Sequence, residues 1–158
     1  MRWLPQSIPP GDETCLVHGD YRLDNMVLHA TLPKVLAVLD WELSTLGDPL
    51  ADFTYSLLNW ALPPGLRSKI GGIDPRPLGI PTLEEAVALY CRYSGRREIP
   101  HLDWYLGYNT FRLACIVQGI AGRVRDGTAT STHAVQMVSR MRELAVAAHQ
   151  FARRAGLD

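Results

Sequence analysis

Apolar residues in the first fifty positions come in short runs, and beyond Asp48 they change to the wider spacing of helices. Thr14 to Val17, Met26 to His29 and Val35 to Leu39 are β-prone runs, the last two separated by a turn around Pro33 and Lys34. This pattern predicts a polar loop followed by a hairpin. Asp48-Pro49 then supplies an N-cap acid and a first-turn proline for a helix running to about Trp60, where Pro63, Pro64 and Gly65 stop it. Residues 65 to 81 are rich in glycine and proline and read as a long surface loop. Thr82 and Glu85 form a capping box for a helix ending at Gly95, with Arg92, Arg96 and Arg97 near its negative end. Two more helices are expected, roughly Leu102 to Ala121 and Thr132 to Ala155, on either side of the polar stretch Arg123 to Ser131.

The expected fold class is therefore α+β and mainly helical. Pro5, Pro9, Pro10 and Gly11 exclude an interior helix or central strand near the start, so residues 1 to 13 read as a linker or truncated edge. The rest divides into residues 14 to 60 (loop, hairpin and first helix), 61 to 81 (loop) and 82 to 158 (helical subdomain).

At 158 residues and 47% hydrophobic content the chain can bury one sizeable core, which argues against disorder. Its formal net charge is zero but unevenly spread. Residues 1 to 60 hold three basic and eight acidic side chains, whereas residues 61 to 158 hold thirteen and eight. The acidic half also contains the densest polar motif, which favours a cation there and argues against a nucleic-acid partner. Cys15, Cys91 and Cys115 are odd in number and widely spaced, so neither a disulfide framework nor a zinc site is indicated. A cytoplasmic or other reducing compartment is expected. No window approaches the roughly 20 apolar residues of a membrane span.

The candidate chemistry lies in His18-Gly19-Asp20-Tyr21-Arg22-Leu23-Asp24-Asn25 and in Asp40-Trp41-Glu42. Phosphoryl transfer needs a carboxylate to accept or orient the attacking hydroxyl proton, and oxygen ligands to hold magnesium against phosphates. A base aspartate followed five positions later by a metal-binding asparagine is the catalytic-loop spacing of kinases, and Asp20 and Asn25 have it. Asp40 stands at the end of the apolar run Val35 to Leu39, where a strand would aim its carboxylate into a cleft.

The strings LVHGDYRLDN, VLDWE and LGDPLADF resemble the aminoglycoside phosphotransferase and choline-kinase-like family, in particular the branch found alongside acyl-CoA dehydrogenase domains. The three motifs fall in order within residues 16 to 53, while residues 82 to 158 are similar only in helical character. The resemblance implies the C-terminal lobe of a protein-kinase-like fold. It implies Asp20 as catalytic base, Asn25 and Asp40 as Mg²⁺ ligands, and His18 as a scaffold residue. ATP would be co-substrate and a hydroxyl on a small molecule the acceptor, with a hydroxyacyl-CoA or hydroxy acid suggested by the branch.

Other residues carry two readings. Arg22 is either a cation for the transferred phosphate or half of a surface ion pair. Glu42 either completes a metal shell or faces solvent. Asp48 is an N-cap, Trp41 and Phe53 are expected in the core, and Arg123 with Arg125 would meet an anionic acceptor or simply solvent.

Complete enzymes of this kind also have an N-terminal lobe with a strand lysine and a loop over the phosphates. Lys34 and Lys69 are the only lysines, both downstream of Asp20 in turn or loop regions, and there is no G-x-G-x-x-G. The expectation is thus a C-lobe whose missing N-terminal lobe or adjacent domain is its partner, and which is inactive alone. The competing class is a non-catalytic kinase-like binding module, which should have lost a metal ligand. A metal-dependent phosphohydrolase would need a nucleophile or second ligand cluster, and the chain after Asp52 has neither.

Overall fold

A computed structural model describes residues 3–11, 13–67, 70–128 and 132–157, with Lys69 outside that set. Two small antiparallel sheets precede a packed group of helices. Strand β1 (Cys15–Val17) pairs with β4 (Thr45–Gly47), and β2 (Met26–Leu28) pairs with β3 (Val35–Val38). The hairpin follows the sequence pattern. β4 does not, because its three residues pair with a strand thirty positions earlier.

Local capping chemistry sets the helix starts. Helix α2 (Pro49–Ala61) begins where Asp48 accepts a hydrogen bond from Leu50 N at 2.8 Å, with Pro49 in the first turn. Helix α3 (Leu83–Ser94) opens with both halves of the Thr82/Glu85 box and closes on Gly95 at φ 73°. Arg96 beyond it is ion-paired with Glu13.

Two boundaries differ from expectation. Helix α4 (Leu102–Arg125) runs four residues past Ala121, its last carbonyls being met by Asp126, Gly127 and Thr128. The final helix is two helices, α5 (Thr132–Ser139) and α6 (Met141–Arg154). At Arg140 the chain tightens to an i→i−3 bond with Met137 O and then restarts, without any glycine or proline to mark the place.

The main core joins α2, α4 and α6 through Leu57, Leu58, Leu113, Val117, Leu144 and Phe151. Gly107 allows α4 and α6 to approach closely, since a Cβ there would lie 3.4 Å from Phe151 Cβ and Ala152 N. A second cluster gathers Leu50, Cys91, Ile99, Trp104 and Tyr105. The proline-rich start packs on it through Trp3 and Leu4 of a one-turn helix, α1 (Trp3–Gln6), and Ser7 Oγ accepts from Trp104 Nε1 at 3.0 Å. Phe53 is half-buried and stacks on Tyr90. Trp41 corrects the sequence reading. It is 46% exposed, and its ring lies beside His18 while Nε1 donates to Val38 O, because the turn it occupies stands on the surface of the hairpin.

Candidate active site

The loop leaving β1 is held from below by backbone and side-chain hydrogen bonds. Asp52, in the first turn of α2, accepts from His18 N at 2.8 Å and Gly19 N at 2.9 Å. Arg112 of α4 donates to Gly19 O at 2.6 Å. Gly19 itself has φ 81°, and a Cβ there would lie 2.6 Å from Leu43 O, so both backbone angle and space call for glycine.

His18 is 3% exposed and works as a bracket. Its Nε2 donates to Leu39 O at 2.8 Å while Nδ1 accepts from Asp20 N at 3.2 Å, an arrangement that requires the Nε2–H tautomer. The loop is thereby tied to the end of β3, immediately before Asp40.

Asn25 is also buried, and it closes the loop. Its Nδ2 donates to Asp20 O at 2.9 Å and to Asp20 Oδ2 at 3.2 Å. Its backbone carbonyl accepts from Leu39 N at 2.8 Å. Asp20, Asn25 and the residue preceding Asp40 thus belong to one hydrogen-bonded unit. Arg22 forms an ion pair with Asp20 Oδ2 at 3.1 Å and with Asp24 at 3.4 Å. Both of its carboxylate contacts are within the loop.

Asp40 has φ 65° and ψ 52°, is exposed, and precedes a 3₁₀ turn over Trp41–Leu43 that includes the exposed Glu42. Among the described residues its carboxylate makes no hydrogen bond or ion pair. Asn25 and Asp40 offer oxygen donors only, which suits a hard cation. Magnesium is commonly held by one or two carboxylates plus phosphate oxygens and water, so the donor set fits it. No group of three or more His, Cys, Asp or Glu able to hold a metal occurs among the described residues.

Three contributors lay outside the sequence reading. Asp52 had a faint signal: Asp48 already caps α2, which leaves a second first-turn acid available for another partner. Arg112 had none, being 93 residues from the carbonyl it holds. Tyr105 donates to Asp48 Oδ2 at 2.6 Å, so the helix cap is also a tertiary contact. Burial, and then that bond, push the Tyr105 hydroxyl well above the usual tyrosine range. Arg125 pairs with the neighbouring Asp126. A cavity of about 940 Å³ lies between α1, α4 and α6, and none of Asp20, Arg22, Asn25 or Asp40 lines it. The candidate site residues are elsewhere, on the loop after β1 and at the end of β3.

Residues 1–102 match the family model described as the phosphotransferase enzyme family. The chain belongs to that family. It is 44% identical over 159 residues to acyl-CoA dehydrogenase family member 10 of Mus musculus, covering 99% of this chain and 15% of that protein. It is 36% identical to acyl-CoA dehydrogenase family member 11 of Homo sapiens over 96% of this chain and 20% of the relative. The chain therefore spans about a fifth or less of these relatives. A crystal structure from Ralstonia eutropha JMP134, provisionally described as an aminoglycoside phosphotransferase, superposes with a TM-score of 0.90 at 46% identity, covering 97% of this chain and 47% of that one. The fold is accordingly that of a kinase-like phosphotransferase, as the three motifs implied.

Proposed function

We propose that the chain carries the catalytic and metal-binding part of an ATP- and magnesium-dependent phosphotransferase acting on a hydroxyl of a small molecule. The observation behind this reading is the Asn25 tie, with Nδ2 on Asp20 at 3.2 Å and its carbonyl on the residue before Asp40 at 2.8 Å. Through its side chain and its backbone carbonyl, one buried residue joins the candidate base to the strand end that carries Asp40.

Asp20 is the base. Its Oδ2 is engaged by Asn25 and Arg22, which leaves Oδ1 to meet the acceptor hydroxyl and take or orient its proton. Asn25 and Asp40 would hold magnesium, which when bound neutralises charge on the phosphate oxygens. Arg22 would exchange its ion pair with Asp20 for the transferred phosphate. His18 and Asp52 hold the loop in shape. A hydroxyacyl-CoA or hydroxy acid as acceptor is supported by the names of the relatives, acyl-CoA dehydrogenase family members 10 and 11. The exposed Leu16, Leu36 and Leu46 offer apolar surface for a further lobe or adjacent domain that would grip ATP.

This reading is tested by joining the chain to the N-terminal lobe of a close relative and measuring phosphate transfer. Asp20→Ala should lower turnover on the order of 10² to 10⁴ while thermal unfolding stays unchanged. The chain alone should bind magnesium weakly and turn ATP over poorly. A loss of less than a few-fold would refute Asp20 as the base, whereas no transfer by the parent two-lobe protein would favour a non-catalytic binding module, a reading that has the Arg22–Asp20 ion pair in its favour.

A further inference from the structure

Below the catalytic loop, two cations share one aromatic ring with no acid paired to them among the described residues. The guanidinium carbon of Arg67 lies 4.1 Å from the centroid of Tyr55, and that of Arg112 lies 4.8 Å from it. Tyr55 is buried on α2, one turn beyond Asp52. Neither arginine makes an ion pair among the described residues. Arg67 Nε is buried and has no hydrogen-bond partner among the described residues. The carboxylate of this corner, Asp52, is already taken by the His18 and Gly19 amides. A third guanidinium, Arg140, reaches the same loop, since a Cβ at Gly65 would lie 2.9 Å from its Nη1. Arg140 has Glu143 at 3.7 Å as partial compensation, whereas Arg67 and Arg112 have no such partner among the described residues.

Leaving a buried N–H unpaired is unfavourable, and cation–π contact with Tyr55 recovers only part of the charge's lost hydration. An oxyanion would satisfy both requirements, because the planar fork of arginine matches carboxylate and phosphate oxygens. Arg112 also places this corner beside the base, holding the carbonyl of Gly19, the residue before Asp20.

The geometry points to Arg67 and Arg112 as an anion site that takes an oxyanion group, carboxylate or phosphate ester, of the hydroxyl acceptor. This assignment rests on the phosphotransferase reading for its placement next to Asp20. The two arginines are then specificity-determining residues, and a neutral alcohol is a poor acceptor however well its hydroxyl reaches the base.

Tyr55 and Arg112 stand on α2 and α4 and Arg67 on the loop that follows α2, so the site can be tested by titration of the 158-residue protein without ATP or magnesium. Three probes are used: 3-hydroxybutyrate, its uncharged counterpart 1,3-butanediol, and inorganic phosphate. Binding is followed by calorimetry and by the arginine Nε–H signals in ¹H–¹⁵N spectra. The hydroxy acid should bind and shift the Arg67 Nε–H signal, the diol should do neither, and phosphate should compete with the acid. Arg67→Ala should weaken acid binding about tenfold or more, as expected for losing a charge-assisted hydrogen bond. Arg67→Lys keeps the charge without the fork and should fall between, with thermal unfolding unchanged. Equal binding of acid and diol, or unchanged acid affinity in both variants, overturns the site. Phosphate binding at Arg67 without hydroxy acid binding overturns its assignment to the acceptor. Because the titration needs no phosphate transfer, loss of transfer in the two-lobe protein with these results intact would defeat the functional reading alone.

Discussion

The helical subdomain and the loop-and-hairpin region are stabilised in different ways. In the first, Leu57, Leu58 and Val117 are almost wholly buried, and shape complementarity across α2, α4 and α6 fixes the positions. In the second, Leu23, Leu36, Leu39 and Leu46 are exposed, with Leu46 at 72%. Strands of three or four residues in two-stranded sheets bury too little to hold themselves. What fixes this region is polar: Asp52 and Arg112 gripping Gly19, His18 bridging to Leu39, and Asn25 closing on Asp20. The candidate site is thus mounted on the helices by a few directional bonds, and the hairpin is free to present apolar side chains outward.

The sharpest way to break this contrast is Leu58→Ala. Leu58 has no exposed surface, so the cavity should cost about 2–5 kcal/mol, while the same change at the half-exposed Leu28 should cost far less. Denaturant unfolding of the two variants measures this. Similar losses would mean that the hairpin belongs to the same core.

Asp52→Ala should act on one region only. Removing the carboxylate leaves the His18 and Gly19 amides without acceptors, at roughly 1–3 kcal/mol for each that stays buried. Hydrogen exchange should accelerate at those two amides and leave α4 and α6 unchanged. Unaltered exchange at Gly19 would show that Arg112 and packing hold the loop without Asp52.

The smallest effect concerns pH and the helical half. Tyr105 has its hydroxyl pKa raised, by burial first and the Asp48 bond second, so the folded chain holds that proton more tightly than the unfolded one. The associated stability is fully present below the ordinary tyrosine value of about 10, and is lost as pH rises through the higher folded value. Tyr105→Phe should cost about 1 kcal/mol at neutral pH and flatten part of the decline in Tm above pH ~10. An alkaline decline identical in the variant would remove Tyr105 from the account.

What the sequence revealed follows from range. The Thr82/Glu85 box, the Asp48-Pro49 start and the β2–β3 hairpin depend on residues within a few positions of each other, and all are present. The break at Arg140 was hidden because no proline or glycine marks it. β4 and Arg112 were hidden, and Asp52 only faintly marked, because their partners are 28 to 93 residues away. The positions of Asp20, Asn25 and Asp40 were legible because a five-residue spacing and a strand end are local features. The anion corner at Tyr55 was not, since it joins three elements that only tertiary packing brings together.

The left-handed backbone at Asp40 bears on how its chemistry can be interrogated. Among residues other than glycine, asparagine and aspartate tolerate that conformation best, and alanine pays for it. An alanine scan through this position would therefore combine two deletions, a carboxylate and a comfortable backbone. Asn is the variant that alters only the charge, and Gly the one that relaxes only the chain's geometry beyond the side-chain loss. Comparing the three turns a single awkward dihedral into an internal control, separating what the residue contributes through its charge from what it contributes as a bend.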